Sequence, residues 1–300
     1  MSLAHRAAVC CRCAGSTGID PAVTRLPTTR RRCLHAAVAC AGAGLLPGAS
    51  LAADAASAAD PFEGDPFKSF QWPELKKEFL GAAARTQFDA RVRVQGPAFA
   101  EDPMNVPITV VVDLPGVQRL IVLVDRNPIR KVLELQPLLA LPSVSFRFKL
   151  EQASPVRALA LTADGLWHVG GALVDSAGGG CTVPSGSRAD GSWTQTLGQV
   201  NGRLYSASAA GAERPGDAAA RLRVRIMHPM DTGLVGGIPA FYVSRLALRD
   251  GQDRELLRIQ TFEPVSENPV FSFEFATPPK GPLHLSGVDN NGNRIHSRID

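Results

Sequence analysis

Apolar and polar residues alternate with a period of two through most of the chain beyond residue 81. Val144, Phe146, Phe148 and Leu150 are separated by Ser145, Arg147 and Lys149, the signature of a strand with one buried face. Residues 88–94, 108–112, 120–124, 156–161 and 166–174 read as further strands. Turn signals divide them at Gly96-Pro97, Leu114-Pro115-Gly116, Asn127-Pro128 and Asp164-Gly165, the last a hairpin signal. One short helix is predicted over residues 73–80, with Pro73 in its first turn and Gly81 as its stop. In the second half, Leu222, Val224 and Ile226 alternate with Arg221, Arg223 and Arg225, and Phe271, Phe273 and Phe275 with Ser272 and Glu274. Residues 241–248, 254–259, 283–288 and 294–299 add strands, and a break of phase between Val243 and Leu246 predicts a bulge near Ser244.

Residues 176–220 differ. Gly178-Gly179-Gly180, Gly186, Gly191 and Gly198, with many Ser and Ala, give little periodicity and read as a linker. The pattern therefore predicts an all-β protein of two immunoglobulin-like antiparallel β-sandwiches. They occupy residues 65–175 and 221–300 and are joined by a Gly/Ser-rich linker (176–220) carrying a mobile cysteine arm.

Charge changes the picture only at the start. Of 32 basic and 28 acidic residues, six arginines and one aspartate lie in residues 1–53, leaving 26 against 27 beyond. That balance lacks the basic surplus of a nucleic-acid-binding protein. Residues 1–53 read as a cleaved signal peptide of twin-arginine type: Arg30-Arg31-Arg32, a short apolar run over 36–46, then small residues with cleavage sites after Ala52 or Ala58. The run is too short to span a bilayer. Export to the periplasm is expected, with no membrane association after cleavage. Cys10, Cys11, Cys13, Cys33 and Cys40 all fall in this leader, so processing would leave Cys181 alone in an oxidising compartment.

Cys181 follows three glycines, and its nearest charges in sequence are Asp175 and Arg188. Nothing local depresses its pKa. Gly178, Gly179 and Gly180 form a flexible arm that lets an exposed thiol reach roughly 20 Å from the strand end. An incidental cysteine in a glycine-rich loop fits the spacing too. Other candidates read as structural. His228 and Met230 make a poor soft-metal pair without a third ligand, and the string suggests a shaped turn after a strand. His168 is a strand histidine rather than a base for Cys181. Trp167 reads as core or interface, Trp72 and Trp193 as packing and linker residues, and Asn127-Pro128 as a turn. No metal, cofactor or catalytic residue is expected.

Several strings resemble the two subunits of the SoxYZ sulfur carrier in fused, quinoprotein dehydrogenase-associated form. Residues Val124-Asp125-Arg126-Asn127-Pro128, the strand around Arg147, Asp164-Gly165-Leu166-Trp167 and Gly179-Gly180-Cys181 resemble SoxY. The run Val224-Arg225-Ile226-Met227-His228-Pro229-Met230-Asp231-Thr232-Gly233, with Ile238-Pro239-Ala240 and Val288-Asp289-Asn290-Asn291-Gly292, resembles SoxZ. The resemblance implies a non-enzymatic carrier holding thiosulfate-derived or related sulfur on Cys181. It also implies pairing of the two modules, and partners among periplasmic sulfur-oxidising or sulfur-transfer enzymes, a quinoprotein dehydrogenase or a cytochrome c. Where SoxY ends within Gly-Gly-Cys-Gly-Gly, Cys181 continues into Thr182-Val183-Pro184, so the arm is tethered at both ends. The other class is an accessory protein of a quinoprotein dehydrogenase whose Cys181 carries nothing, which a buried, inert thiol would favour.

Overall fold

Alternation of the kind above can be satisfied only by sheets that bury one face each, and the computed structural model, which describes residues 60–206 and 218–300, contains two. The first half supplies α1 (Trp72–Phe79), β1 (Arg85–Phe88), β2 (Val92–Gln95), β3 (Phe99–Ala100), β4 (Val106–Val112), β5 (Val117–Val124), β6 (Lys131–Gln136), β7 (Ser143–Phe148), β8 (Ser154–Thr162) and β9 (Leu166–Ser176). Then come α2 (Gly186–Asp190), α3 (Trp193–Thr196), β10 (Val200–Ser206), β11 (Ala220–Ile226), β12 (Val243–Arg249), β13 (Glu255–Thr261), β14 (Val270–Phe275), β15 (Leu283–Asp289) and β16 (Arg294–Ile299). The expected leader, with its five cysteines, lies outside the described residues.

The fold is all-β and sandwich-like, with both modules sharing both sheets. One sheet runs β1-β9-β8-β5-β6-β13-β12-β15-β16, with β3 also on β9, and the other β10-β11-β14-β7-β4-β2. The modules join where β6 pairs antiparallel with β13 (Leu135 opposite Ile259) and β14 with β7 (Phe273 opposite Val144). Each module thus covers an exposed edge of the other, a strand edge that would otherwise invite aggregation. Val122, Leu135, Val144, Phe148, Leu222, Val224, Phe273 and Leu285 belong to one continuous buried core spanning both modules. Fusion in one chain holds the modules at high effective concentration, and they pair by backbone ladder as well as by side chains.

The N-terminal helix packs outside this core. Trp72 and Leu75 of α1 bury against Ile121, Leu123, Leu159, Trp167 and Val169 on the outer face of β5, β8 and β9. Beneath them lies a wholly buried ionic group. The Arg157 guanidinium bonds Asp125 (Nε–Oδ1 2.7 Å) and Asp65 (Nη1–Oδ1 2.7 Å), between the rings of Trp72 (4.6 Å) and Phe67 (5.1 Å).

Several boundaries differ from the sequence expectation. Residues 88–94 are not one strand: Asp89 turns the chain, its carboxylate accepting from Arg91 N. β1 therefore runs parallel to β9, while β2 crosses to the other sheet and pairs with β4. The strand β6 has no counterpart in the sequence reading, because Val132-Leu133-Glu134-Leu135 is buried on both faces and lacks alternation. The linker expected over 176–220 contains α2, α3 and β10, and β10 forms the edge of the second sheet against β11. Its inward positions, Val200, Gly202 and Leu204, are too weakly apolar to announce a strand. The bulge near Ser244 is present as a register shift between Val243 and Arg245.

Candidate functional site

Cys181 lies where three segments meet: its own connector, the chain after β7 and the turn after β11. The connector enters from β9 along Leu150 and Glu151. Gly179 N donates to Glu151 O (3.0 Å) and Gly180 N to Leu150 O (3.1 Å). Gly178 is at φ +92° and Gly179 at φ +86°, backbone that other residues resist. A Cβ on Gly180 would fall 2.1 Å from Pro103 O and 2.7 Å from Leu150 O, and one on Gly178 2.7 Å from Glu151 O.

Both modules grip the cysteine itself. Its N–H donates to the Glu151 carboxylate (2.9 Å), its thiol to Lys149 O (3.5 Å), and its carbonyl accepts from Thr232 Oγ1 (2.6 Å). Beyond it, Ser185 Oγ and Arg188 Nε bond the two oxygens of Asp231, and Gly186 N and Ser187 N bond those of Glu267. Arg188 in turn stacks on Trp193 at 4.2 Å.

The expectation of an exposed thiol on a free arm is therefore overturned: Cys181 is 0 % exposed. Gly178 and Gly180 serve close approach here, docking the arm against the carbonyl groups of Glu151, Pro103 and Leu150. Burial, reinforced by the Glu151 carboxylate and opposed by the Lys149 ammonium, pushes the thiol up to about 12. In this docked state the sulfur is a protonated, poor nucleophile. Lys149 is buried too, its ammonium donating to Met230 O (2.6 Å) with its pKa lowered by desolvation.

The remaining sequence candidates fall into place. Asn127 is more than a turn residue: it is buried, its Nδ2 donates to Lys149 O (2.8 Å) and its Oδ1 accepts from Glu151 N (2.9 Å). It thereby fixes the strip against which Cys181 docks. Sequence reasoning missed this role, and missed those of Lys149 and Glu151, which carry no motif, and of Thr232, which it met only as part of the SoxZ-like string. His168 bonds Asp89 through Nδ1 at 2.8 Å and makes no hydrogen bond to Cys181. Trp167 is core. His228 and Met230 shape a turn, as expected. Met230 sits at φ +52°, its N–H donates to His228 Nδ1 and its sulfur accepts from Val243 N–H.

His228 gives a prediction. Burial, partly offset by Asp289, lowers its pKa from 6.5 to about 4. The unfolded chain then binds the proton first as pH falls, so this stability is fully present above pH 6.5 and lost toward pH 4. The loss is on the order of 3 kcal/mol. Urea unfolding at pH 7 and pH 4 should show a decline that is reduced by that amount in His228→Asn, which keeps an acceptor for Met230 N. Equal declines would refute it.

A two-module β-sandwich holding its one thiol among the described residues at the seam between modules defines a class of paired-domain, cysteine-bearing protein. Comparison with known families gives it an identity. Residues 76–181 match the model of sulfur oxidation protein SoxY, ending on the cysteine, and residues 210–300 match sulphur oxidation protein SoxZ. The chain is a fused SoxYZ-like protein of the sulfur-oxidation family, with the SoxY and SoxZ domains in one polypeptide. Among solved structures it is similar to the sulfur carrier protein SoxY from Chlorobium limicola f thiosulfatophilum. Identity is 19%, with 35% of this chain and 90% of that one covered at a TM-score of 0.32. No curated protein matches.

Proposed function

We propose that this chain is a periplasmic covalent sulfur carrier, not itself an enzyme, that holds thiosulfate-derived or related sulfur on Cys181 and presents it to partner enzymes. The observation that supports this most is the position of the thiol. It stands at the point where the SoxY match ends, on a glycine segment gripped by both modules. Joining the cysteine thiol to the outer sulfur of thiosulfate forms one S–S bond and releases one proton and two electrons. Loading thus requires an electron-accepting partner, for which a cytochrome c is suited. A thiol held near pKa 12 cannot react at neutral pH, so loading requires the arm to lift off its strip. The docked state then serves as the resting form, in which the bare thiol is sheltered from oxidants. Export by the twin-arginine route belongs to the same proposal.

A second reading has the burial of Cys181 in its favour: an accessory protein of a periplasmic quinoprotein dehydrogenase whose cysteine stays docked. Intact mass of protein purified from its native periplasm separates the two, sulfur adducts on Cys181 supporting the carrier and a bare thiol the accessory role. Cys181→Ser should abolish loading in a reconstituted transfer assay. Its stability should change by no more than about 1 kcal/mol, since serine fills the site and donates to Lys149 O in place of the thiol. Full loading of that variant would end the carrier reading.

A further inference from the structure

The outer face of the second sheet carries an arginine cluster. On β11 every outward position, Arg221, Arg223 and Arg225, is an exposed arginine. Arg203 on β10 stands directly opposite Arg223, and like charges facing across a ladder are destabilising. Arg147 on β7 completes the group; with Arg223 and Arg225 it lines a depression of about 570 Å³. An adjoining depression of about 560 Å³ is lined by Arg203, Arg223 and Arg225. Among the described residues only Arg221 has an acidic partner, Glu274.

Asp102 and Glu267 line the first depression as well, but neither forms an ion pair with the cluster: Asp102 accepts from Met104 N in its own turn, and Glu267 accepts from the N–H groups of Gly186 and Ser187. Tyr205, beneath Arg203 at 5.1 Å, adds an aromatic face of the kind enriched at protein interfaces. Position gives the cluster its meaning. Arg147 lies two residues before Lys149, whose carbonyl holds the Cys181 thiol, and Gly186 of the connector lines the same depression as Arg147 and Arg225.

We propose that the arginine face formed by Arg147, Arg203, Arg223 and Arg225 is a docking surface for an acidic partner protein, which it sets down beside the Cys181 connector. Guanidinium groups spread over three strands, with strands about 4.8 Å apart, are too dispersed for a single oxoanion. They suit several carboxylates on another surface, and such rim charges steer association and fix register. The inference takes from the carrier reading only that a partner must approach the thiol, and its test involves no sulfur cargo.

The test measures binding of a fluorescein-labelled deca-glutamate peptide to the full chain by anisotropy at low and physiological salt, alongside thermal unfolding. Arg203→Gln, Arg223→Gln and Arg225→Gln together should weaken binding about tenfold or more at low salt, with Tm unchanged or raised because the facing pair is relieved. The control Arg245→Gln with Arg294→Gln, on the other sheet, should leave affinity within about twofold. The proposal is overturned by any of four results: no binding to the parent chain, equal loss in the control, a lowered Tm in the triple variant, or displacement of the peptide by low-millimolar sulfate. The last would mark a small-anion site instead.

Discussion

Replacing Gly180 by alanine should turn Cys181 from an inert thiol into a reactive one, raising its alkylation rate at pH 8 by about a thousandfold. Two features combine. The Cβ would lie 2.1 Å from Pro103 O and 2.7 Å from Leu150 O, both backbone atoms that have no side-chain freedom with which to yield. The docked arm is then excluded, and the thiol returns from about 12 toward its ordinary value of 9.0. At pH 8 that shift of about three pH units multiplies the thiolate fraction by roughly 10³, and the thiolate is the species that alkylates. Iodoacetamide labelling followed by intact mass reads the rate. Gly236→Ala is the control, since a Cβ there meets nothing within 4 Å, and it should leave the thiol protected. If the parent chain reacted as fast as a free cysteine, or Gly180→Ala no faster than the parent, the docked state would not be the one populated in solution. The parent rate should also climb steeply between pH 9 and pH 12, because only the released arm deprotonates in that window and each unit favours release by a further factor of about ten.

The sequence made the chemistry of this site legible and its state illegible. A single cysteine behind three glycines announces itself, and two halves of alternating strands announce sandwiches. Yet glycine supports opposite conclusions, backbone freedom or close approach. Only the carbonyl groups of Pro103 and Leu150, distant in sequence from Gly180, decide between them. Asn127 and Glu151 were hidden for the same reason: their partners lie 22 and 30 residues away. The seam itself depends on β6, whose residues are buried on both faces and so lack the period-two signal that exposes its neighbours. The arginines of β11 were legible as an outward face. Their encounter with Arg203 and Arg147 required the strand order β10-β11-β14-β7, which alternation alone does not supply.

Arg157→Met should be the most damaging substitution to stability in the first module, at about 3–5 kcal/mol, a large share of the roughly 5–15 kcal/mol typical of a folded domain. The residue sits among the apolar positions of β8 and is 0 % exposed, as are the Asp65 and Asp125 side chains it joins. All four of its carboxylate contacts fall between 2.7 and 2.8 Å, and neither aspartate side chain reaches solvent in the folded chain. Removing the cation strands two buried carboxylates, which is far costlier than the pair's own net worth. Asp65 also receives Ser69 N and, more weakly, Phe67 N, so its displacement loosens the turn that delivers Trp72 and α1 to the outer face of β5, β8 and β9. Urea unfolding should therefore show the lowered midpoint, and limited proteolysis should show new cleavage within residues 60–80 before the sandwich itself is cut. Adding Asp65→Asn and Asp125→Asn to Arg157→Met removes the stranded charges, while the amide oxygen introduced at position 65 still accepts from Ser69 N. That triple variant should recover about 2 kcal/mol or more. A loss below about 1 kcal/mol in Arg157→Met, or no recovery in the triple variant, would show that the helix is held by the apolar contacts of Trp72 and Leu75 rather than by this buried ionic group.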